Sequence, residues 1–167
     1  LDAGNQRGSF FMPEVGDEVI VGFIDDNPNQ AVVLGMLHSS QAPNYFQLSD
    51  DNHIKGYVSR EKIIIQFDDE KKAISIETPG SNKVLISDDE KGISLEDQNG
   101  NTLILNAQGI TIESKKALTI KAAQDVTIEG NNVNIKANAQ LKAAGTTGAE
   151  FSASGNTVVK GAMVQIN

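Results

Sequence analysis

Cysteine and tryptophan are absent from this 167-residue chain, and aromatic residues make up only 5% of it. Without cysteine no disulfide can hold the fold and no thiolate can bind a metal, so the chain is indifferent to its redox compartment. Aromatic side chains each bury a large area, and a compact globular core usually leans on them. A core of Val, Ile, Leu and Ala implies flat, repetitive packing instead. No stretch approaches the ~20 apolar residues that a membrane-spanning helix needs, and no signal peptide is visible. Basic clusters are missing as well. The formal charge is −8, which disfavours a nucleic-acid partner, because phosphate binding needs grouped Lys and Arg. His38 and His53 are the only histidines, too isolated for a zinc site or a triad. Proline is scarce at 4 residues, whereas Gly (15) and Asn are plentiful, which fits many tight turns between short strands.

Three regions differ in pattern. In residues 1–43, Val19-Ile20-Val21-Gly22-Phe23 and Ala31-Val32-Val33-Leu34 flank the turn signal Asp25-Asp26-Asn27-Pro28-Asn29, which reads as a β-hairpin. Residues 44–61 are mixed and polar and read as a linker with at most one short strand. From Lys62 onward the pattern is regular. Ile63 to Phe67, Asp68-Asp69-Glu70-Lys71 and Ile74-Ser75-Ile76-Glu77 are echoed by Val84 to Ile86, Asp88-Asp89-Glu90-Lys91 and Ile93-Ser94-Leu95-Glu96. The two blocks repeat at roughly 19–20 residues, with Asn82 and Asn99-Gly100 as turn chemistry. The acidic triplets read as solvated hairpin turns rather than cation sites, since they lack the alternating oxygen ligands and fixed Gly of a calcium loop.

After Gly109 the period shortens to eight. Units begin at Ile110, Leu118, Val126, Val133, Leu141, Ala149 and Thr157, with one seven-residue step before Val133. Their third positions are Ile112, Ile120, Ile128, Ile135, Ala143, Phe151 and Val159, and their fifth positions are always small. Apolar residues two apart share one face of a strand, and the residue between them, such as Thr119 or Thr127, faces the other way. The small fifth residue suits a corner where the chain turns closely past itself. One octad therefore supplies one short strand and one corner, and repeats of this kind govern the fold.

A single chain wound this way has too few apolar side chains to fill a lumen and leaves strand edges open. Three chains about one axis remove both difficulties. The expected fold is all-β: a partial OB-type subdomain (1–43), the linker (44–61) and an intertwined trimeric triple-stranded β-helix, a β-prism needle (62–167). Leu118, Ile120, Val126, Ile128, Val133, Ile135 and Leu141 are expected in the trimer core. The fourth octad positions Glu113, Lys121, Glu129 and Lys136 alternate in sign, which suggests a charge ladder between neighbouring chains.

The segments Phe11-Met12-Pro13-Glu14-Val15-Gly16-Asp17-Glu18-Val19-Ile20-Val21-Gly22-Phe23, Asp26-Asn27-Pro28-Asn29 and Val32-Val33-Leu34-Gly35 resemble the late strands of the oligosaccharide-binding-type domain of VgrG spikes. These belong to type VI secretion systems and are related to phage baseplate spikes and extracellular contractile injection systems. Ile65-Gln66-Phe67-Asp68-Asp69 and the octads resemble the needle that follows that domain. The resemblance implies a homotrimer that is assembled in the bacterial cytoplasm and then secreted or injected, touching the target membrane transiently. It also implies a PAAR-type tip protein at the C-terminal end, docked on Met163, Val164, Gln165, Ile166 and Asn167. Tube and baseplate proteins would bind through an N-terminal part that precedes Leu1. No cofactor, metal or catalytic residue is expected.

Two other readings compete. The stalk of a trimeric phage tail fibre or adhesin would share the octads but has no use for the Pro13–Gly22 motif. A single-chain β-helical enzyme acting on polysaccharide would need longer rungs and a carboxylate-lined groove, for which octads leave no room.

Overall fold

The computed structural model describes residues 3–166, divided between Leu118 and Thr119 into two units. The first unit is all-β apart from one 3-10 turn. Strands β1 (Ala3–Gly4) and β2 (Arg7–Gly8) form a minimal antiparallel pair. Strands β3 (Glu18–Phe23) and β4 (Ala31–Leu37) form the hairpin that the alternation and the Asp-Asn-Pro turn announce, with a bulge at Ile20/Val21. A 3-10 turn at Ile24–Asp26 closes it, with Asp25 and Asp26 in the left-handed region at φ 52° and 55°. Short Asp and Asn side chains tolerate that region better than bulkier ones.

The larger element is a seven-stranded antiparallel meander. Its strands are β5 (Ile54–Val58), β6 (Ile64–Asp68), β7 (Ala73–Glu77), β8 (Lys83–Ser87), β9 (Gly92–Glu96), β10 (Thr102–Asn106) and β11 (Gly109–Glu113), each paired with the next in chain order. The segment 44–61 thus contributes one short strand, and that strand is the first member of the sheet. The order follows from short connections, which let successive strands only lie side by side.

The repeat sensed in the sequence is a hairpin pair with a period of 19 residues. Ser59, Thr78 and Asp97 each open a five-residue loop, and their side-chain oxygens accept the backbone N–H four residues on, at 3.0, 3.3 and 2.9 Å. Asp68 and Ser87 open the four-residue loops between, accepting the N–H three residues on at 3.0 and 3.1 Å. In every one of these loops the fourth residue is left-handed: Lys62, Lys72, Ser81, Lys91 and Gly100, at φ between 49° and 78°. Only Gly100 adopts it without a steric penalty from Cβ. The other four are held there by the loop's own hydrogen bonds.

The second unit, from Thr119 on, contains no strand among its described residues. The octads were expected to be strands, and only the first of them is one, as β11. The physical reason is pairing. A strand of three or four residues needs a neighbour for its N–H and C=O groups, and a corner every eight residues places no second strand of the same chain alongside.

Candidate functional site: an uncovered apolar sheet face

Because the meander is in uniform antiparallel register, side chains line up across all seven strands. Tyr57 lies opposite Ile65, then Ile76, Val84, Leu95, Leu103 and Ile112 in turn. A second row runs Phe67, Ile74, Ile86, Ile93, Leu105 and Ile110. Both rows stand on one face, since residues two apart in a strand point the same way. The other face carries Gln66, Ser75, Leu85, Ser94, Ile104 and Thr111 in one row, mostly polar and β-branched or small. The sheet is therefore amphipathic, although Lys55 continues the second row onto β5 and Leu85 and Ile104 are apolar members of the other face.

Nothing among the described residues buries the apolar side. Among the described residues no hydrophobic side chain is buried, and Ser87 is the single buried polar residue. Ile65, Ile74, Ile76, Ile93 and Leu95 are each about two-fifths exposed even in mid-sheet. Antiparallel sheets ordinarily pack one face on a core and wet the other. This one has the composition for that arrangement and lacks the second layer. A contiguous apolar surface of such extent marks an interaction site.

The octad residues expected in the trimer core are likewise uncovered. Leu118, Ile120, Val126, Ile128, Val133, Ile135 and Leu141 each expose half or more of their side chains. Leu118 lines the same apolar depression as Ile76, Val84, Leu95, Leu103 and Ile112. The first of the octad residues so joins the sheet face, and Ile110 and Ile112 belong to both patterns. Reasoning from the octads alone overlooked the sheet rows. The signal was present in Ile74-Ser75-Ile76 and Ile93-Ser94-Leu95, whose alternation marks a one-sided strand. Of the residues expected to dock a tip, Met163, Val164, Gln165 and Ile166 are exposed, and Asn167 lies outside the described residues.

The polar features are local. Asp68 caps Lys71, Asp88 donates its N–H to the carbonyl of Lys72 at 3.2 Å, and Lys55 pairs with Asp69. The acidic triplets so belong to two loops stacked at one end of the sheet. His38 and His53 line a common depression with Asp51 and Glu70, yet no group of three metal-ligating side chains gathers among the described residues. Glu113 pairs with Lys115 of its own chain. The first rung of the suggested interchain charge ladder is thereby taken within the chain, because Lys115 is two residues away and reaches it at little entropic cost.

At the opposite end of the sheet, Asp97 organises the β9–β10 loop. Its carboxylate accepts the N–H groups of Asn99 (2.8 Å) and Asn101 (2.9 Å) and both of their side-chain amides (3.1 and 2.8 Å). Asn101 Oδ1 in turn accepts the N–H of Lys115 at 2.9 Å and the Ser114 hydroxyl at 3.2 Å, tying the loop to the chain as it leaves β11. The backbone N–H of Asn101, then the side-chain amides of Asn99 and Asn101, hold the Asp97 pKa down to about 2. A depressed carboxylate contributes stability that is present above its unfolded value, near 3.9, and is lost as pH falls through its folded value. The melting-temperature difference between the wild-type protein and Asp97→Ala should therefore be largest above pH 4 and shrink as the pH approaches 2. A difference independent of pH would contradict this role for the carboxylate.

Comparison with known families accords with this geometry. Residues 1–38 match the model of the type VI secretion system/phage-baseplate injector OB domain. Residues 73–167, more than half of the chain, match that of the phage baseplate V C-terminal trimerisation domain. No curated protein sequence matches the chain significantly.

Proposed function

The chain belongs to the phage baseplate V family of structural, trimeric spike proteins, of the VgrG type, and from that premise we propose that it forms the needle of an injection machine that punctures a target envelope. Three copies turn their apolar sheet faces toward a common axis, and the octads of the three chains wind into an intertwined triple-stranded β-helix. Residues 1–43 act as late strands of an OB-type domain, 44–61 link it to the shaft and supply the sheet's first strand, and 62–167 form the shaft. The spike is carried out of the producing cell with the expelled tube. Its C-terminal end, Met163 to Asn167, presents a PAAR-type tip protein, and baseplate and tube proteins bind at the other end. The role is mechanical rather than enzymatic.

The observation that carries the reading is the seven-stranded amphipathic sheet with no second layer. A hydrophobic face of this kind is stable in water only when covered, and burying each large aliphatic side chain contributes about 1.5–3 kcal/mol. Three-fold self-association covers the face with its own kind and leaves the polar face wet. No helix among the described residues is long and apolar enough to cross a membrane, so the proposed contact with the target membrane is transient passage rather than residence in it as a helix.

The test is made in the producing cell. Leu95→Asp places a charge in mid-face, and release of the tube protein into the medium should fall to background. Undiminished release with Leu95→Asp would overturn the proposed role.

A further inference from the structure

Asn99-Gly100 is the single Asn-Gly step in the sequence. In a flexible peptide this step is chemically labile, because glycine offers no side chain to hinder its own backbone nitrogen. That nitrogen attacks Cγ of the asparagine, the Cγ–Nδ2 bond breaks, and Nδ2 leaves as ammonia with the proton that the Gly nitrogen carried. The cyclic succinimide is then opened by water. Attack at Cγ gives aspartate, and attack at the main-chain carbonyl gives iso-aspartate, whose main chain runs through the β-carbon. Water is the only co-reactant.

The fold opposes the cyclisation step of that reaction. Asn99 is exposed, so solvent reaches it, but the attacking atom is engaged: Gly100 N–H donates to the Asp97 carbonyl at 2.9 Å. The leaving group is engaged as well, since Asn99 Nδ2 donates to Asp97 Oδ2 at 3.1 Å, and the Asn99 N–H is fixed on Oδ1 at 2.8 Å. Gly100 is held left-handed at φ 78°.

We infer that Asn99-Gly100 is a latent modification site, kept from cyclising by the Asp97 side chain and converted to iso-aspartate when the β9–β10 loop opens. The consequence is local and directional. An added backbone carbon displaces Asn101, whose carboxamide accepts the Lys115 N–H and the Ser114 hydroxyl. Conversion therefore unties the loop from the segment through which β11 leads into the octads, and marks shafts that have opened at that point.

The experiment compares conversion rates at Asn99 by peptide mapping, with the iso-aspartyl product separated chromatographically, during incubation at neutral pH. The full chain, a free peptide spanning residues 95–103 and Asp97→Ser are run together. Serine is chosen because Ser59 opens the equivalent loop with the same hydroxyl-to-amide bond, so Asp97→Ser keeps the turn while losing the second oxygen that holds the carboxamides. Wild type should convert far more slowly than the peptide. Asp97→Ser should convert about tenfold faster than wild type, the factor corresponding to about 1.4 kcal/mol of loop closure, with strand content by circular dichroism unchanged. Should Asp97→Ser lose its fold, Asn101→Ala provides the second arm. It removes the tie to Lys115 while leaving Asp97 on Asn99, and should accelerate conversion less than loss of the fold does. Wild-type conversion at the peptide's rate, or a folded Asp97→Ser as slow as wild type, would overturn the inference.

Discussion

Ile120→Asp should abolish the heat-stable trimer. Ile120 is the third residue of its octad, two after Leu118, and in the proposed needle the two share a strand face opposite Thr119. In a three-chain needle one substitution sets three carboxylates around the axis, in a space lined by Val and Ile. Each ion taken from water into such surroundings costs several kcal/mol after relaxation, and the three repel one another. Taking a proton instead leaves three carboxyl groups without adequate hydrogen-bond partners, which is itself costly. Loss of the Ile side chains removes a further ~1.5–3 kcal/mol each of burial. The control is Thr119→Asp, one residue away on the proposed wet face, which should leave melting almost unchanged. Equal tolerance of both substitutions would mean that the octad faces are assigned wrongly.

Removal of residues 163–167 should abolish capture of a PAAR-type tip protein while leaving the trimer intact. Met163 and Ile166 are almost fully exposed, and three copies of such residues brought together would present an apolar surface, which proteins ordinarily cover. Five residues are a small part of the proposed core, so the truncated chain should keep its mass in solution. Unchanged capture by the truncated trimer would place the tip's docking surface elsewhere.

The legibility of this chain was uneven for physical reasons. The β3–β4 hairpin was readable because β-branched runs flank a turn signal that few other structures use. The strands and the repeat of residues 62–113 were readable because Ile-Ser-Ile and Ile-Ser-Leu alternate with the pleat, and the 19-residue period is set by side-chain caps at Ser59, Thr78 and Asp97. Their pairing into one meander of a single chain was not, since they were expected to belong to the intertwined needle. The left-handed positions were not readable, since nothing about Lys62, Lys72 or Lys91 favours φ above zero, and the loop's closing bonds impose it. The sheet's apolar rows were missed as an interface because each strand taken alone looks like half of an ordinary buried strand. Only the register, aligning Ile65 with Ile76, Val84, Leu95 and Leu103, turns separate strands into one uncovered face. Beyond Thr119 the period of eight is plain in sequence, yet a strand is defined by its neighbour, and these strands have none in their own chain.

The charge pattern teaches a related point. Alternation of Glu113, Lys121, Glu129 and Lys136 suggested partners in neighbouring chains, whereas Glu113 takes Lys115. Exposed pairs contribute only about 0.2–1 kcal/mol, so the nearest cation wins over a distant one whenever reach allows. Lys121, Glu129 and Lys136 lack such a close rival of opposite sign, and any register role falls to them.

The central claim is that the apolar sheet face and the octads are each buried by association of three copies. The most direct measurement is the mass of the full chain in solution by light scattering after size-exclusion chromatography. The account predicts three times the 17.8 kDa of a single chain, unchanged on dilution. A folded, soluble species of one-chain mass, with the strand content of the sheet intact, would contradict it.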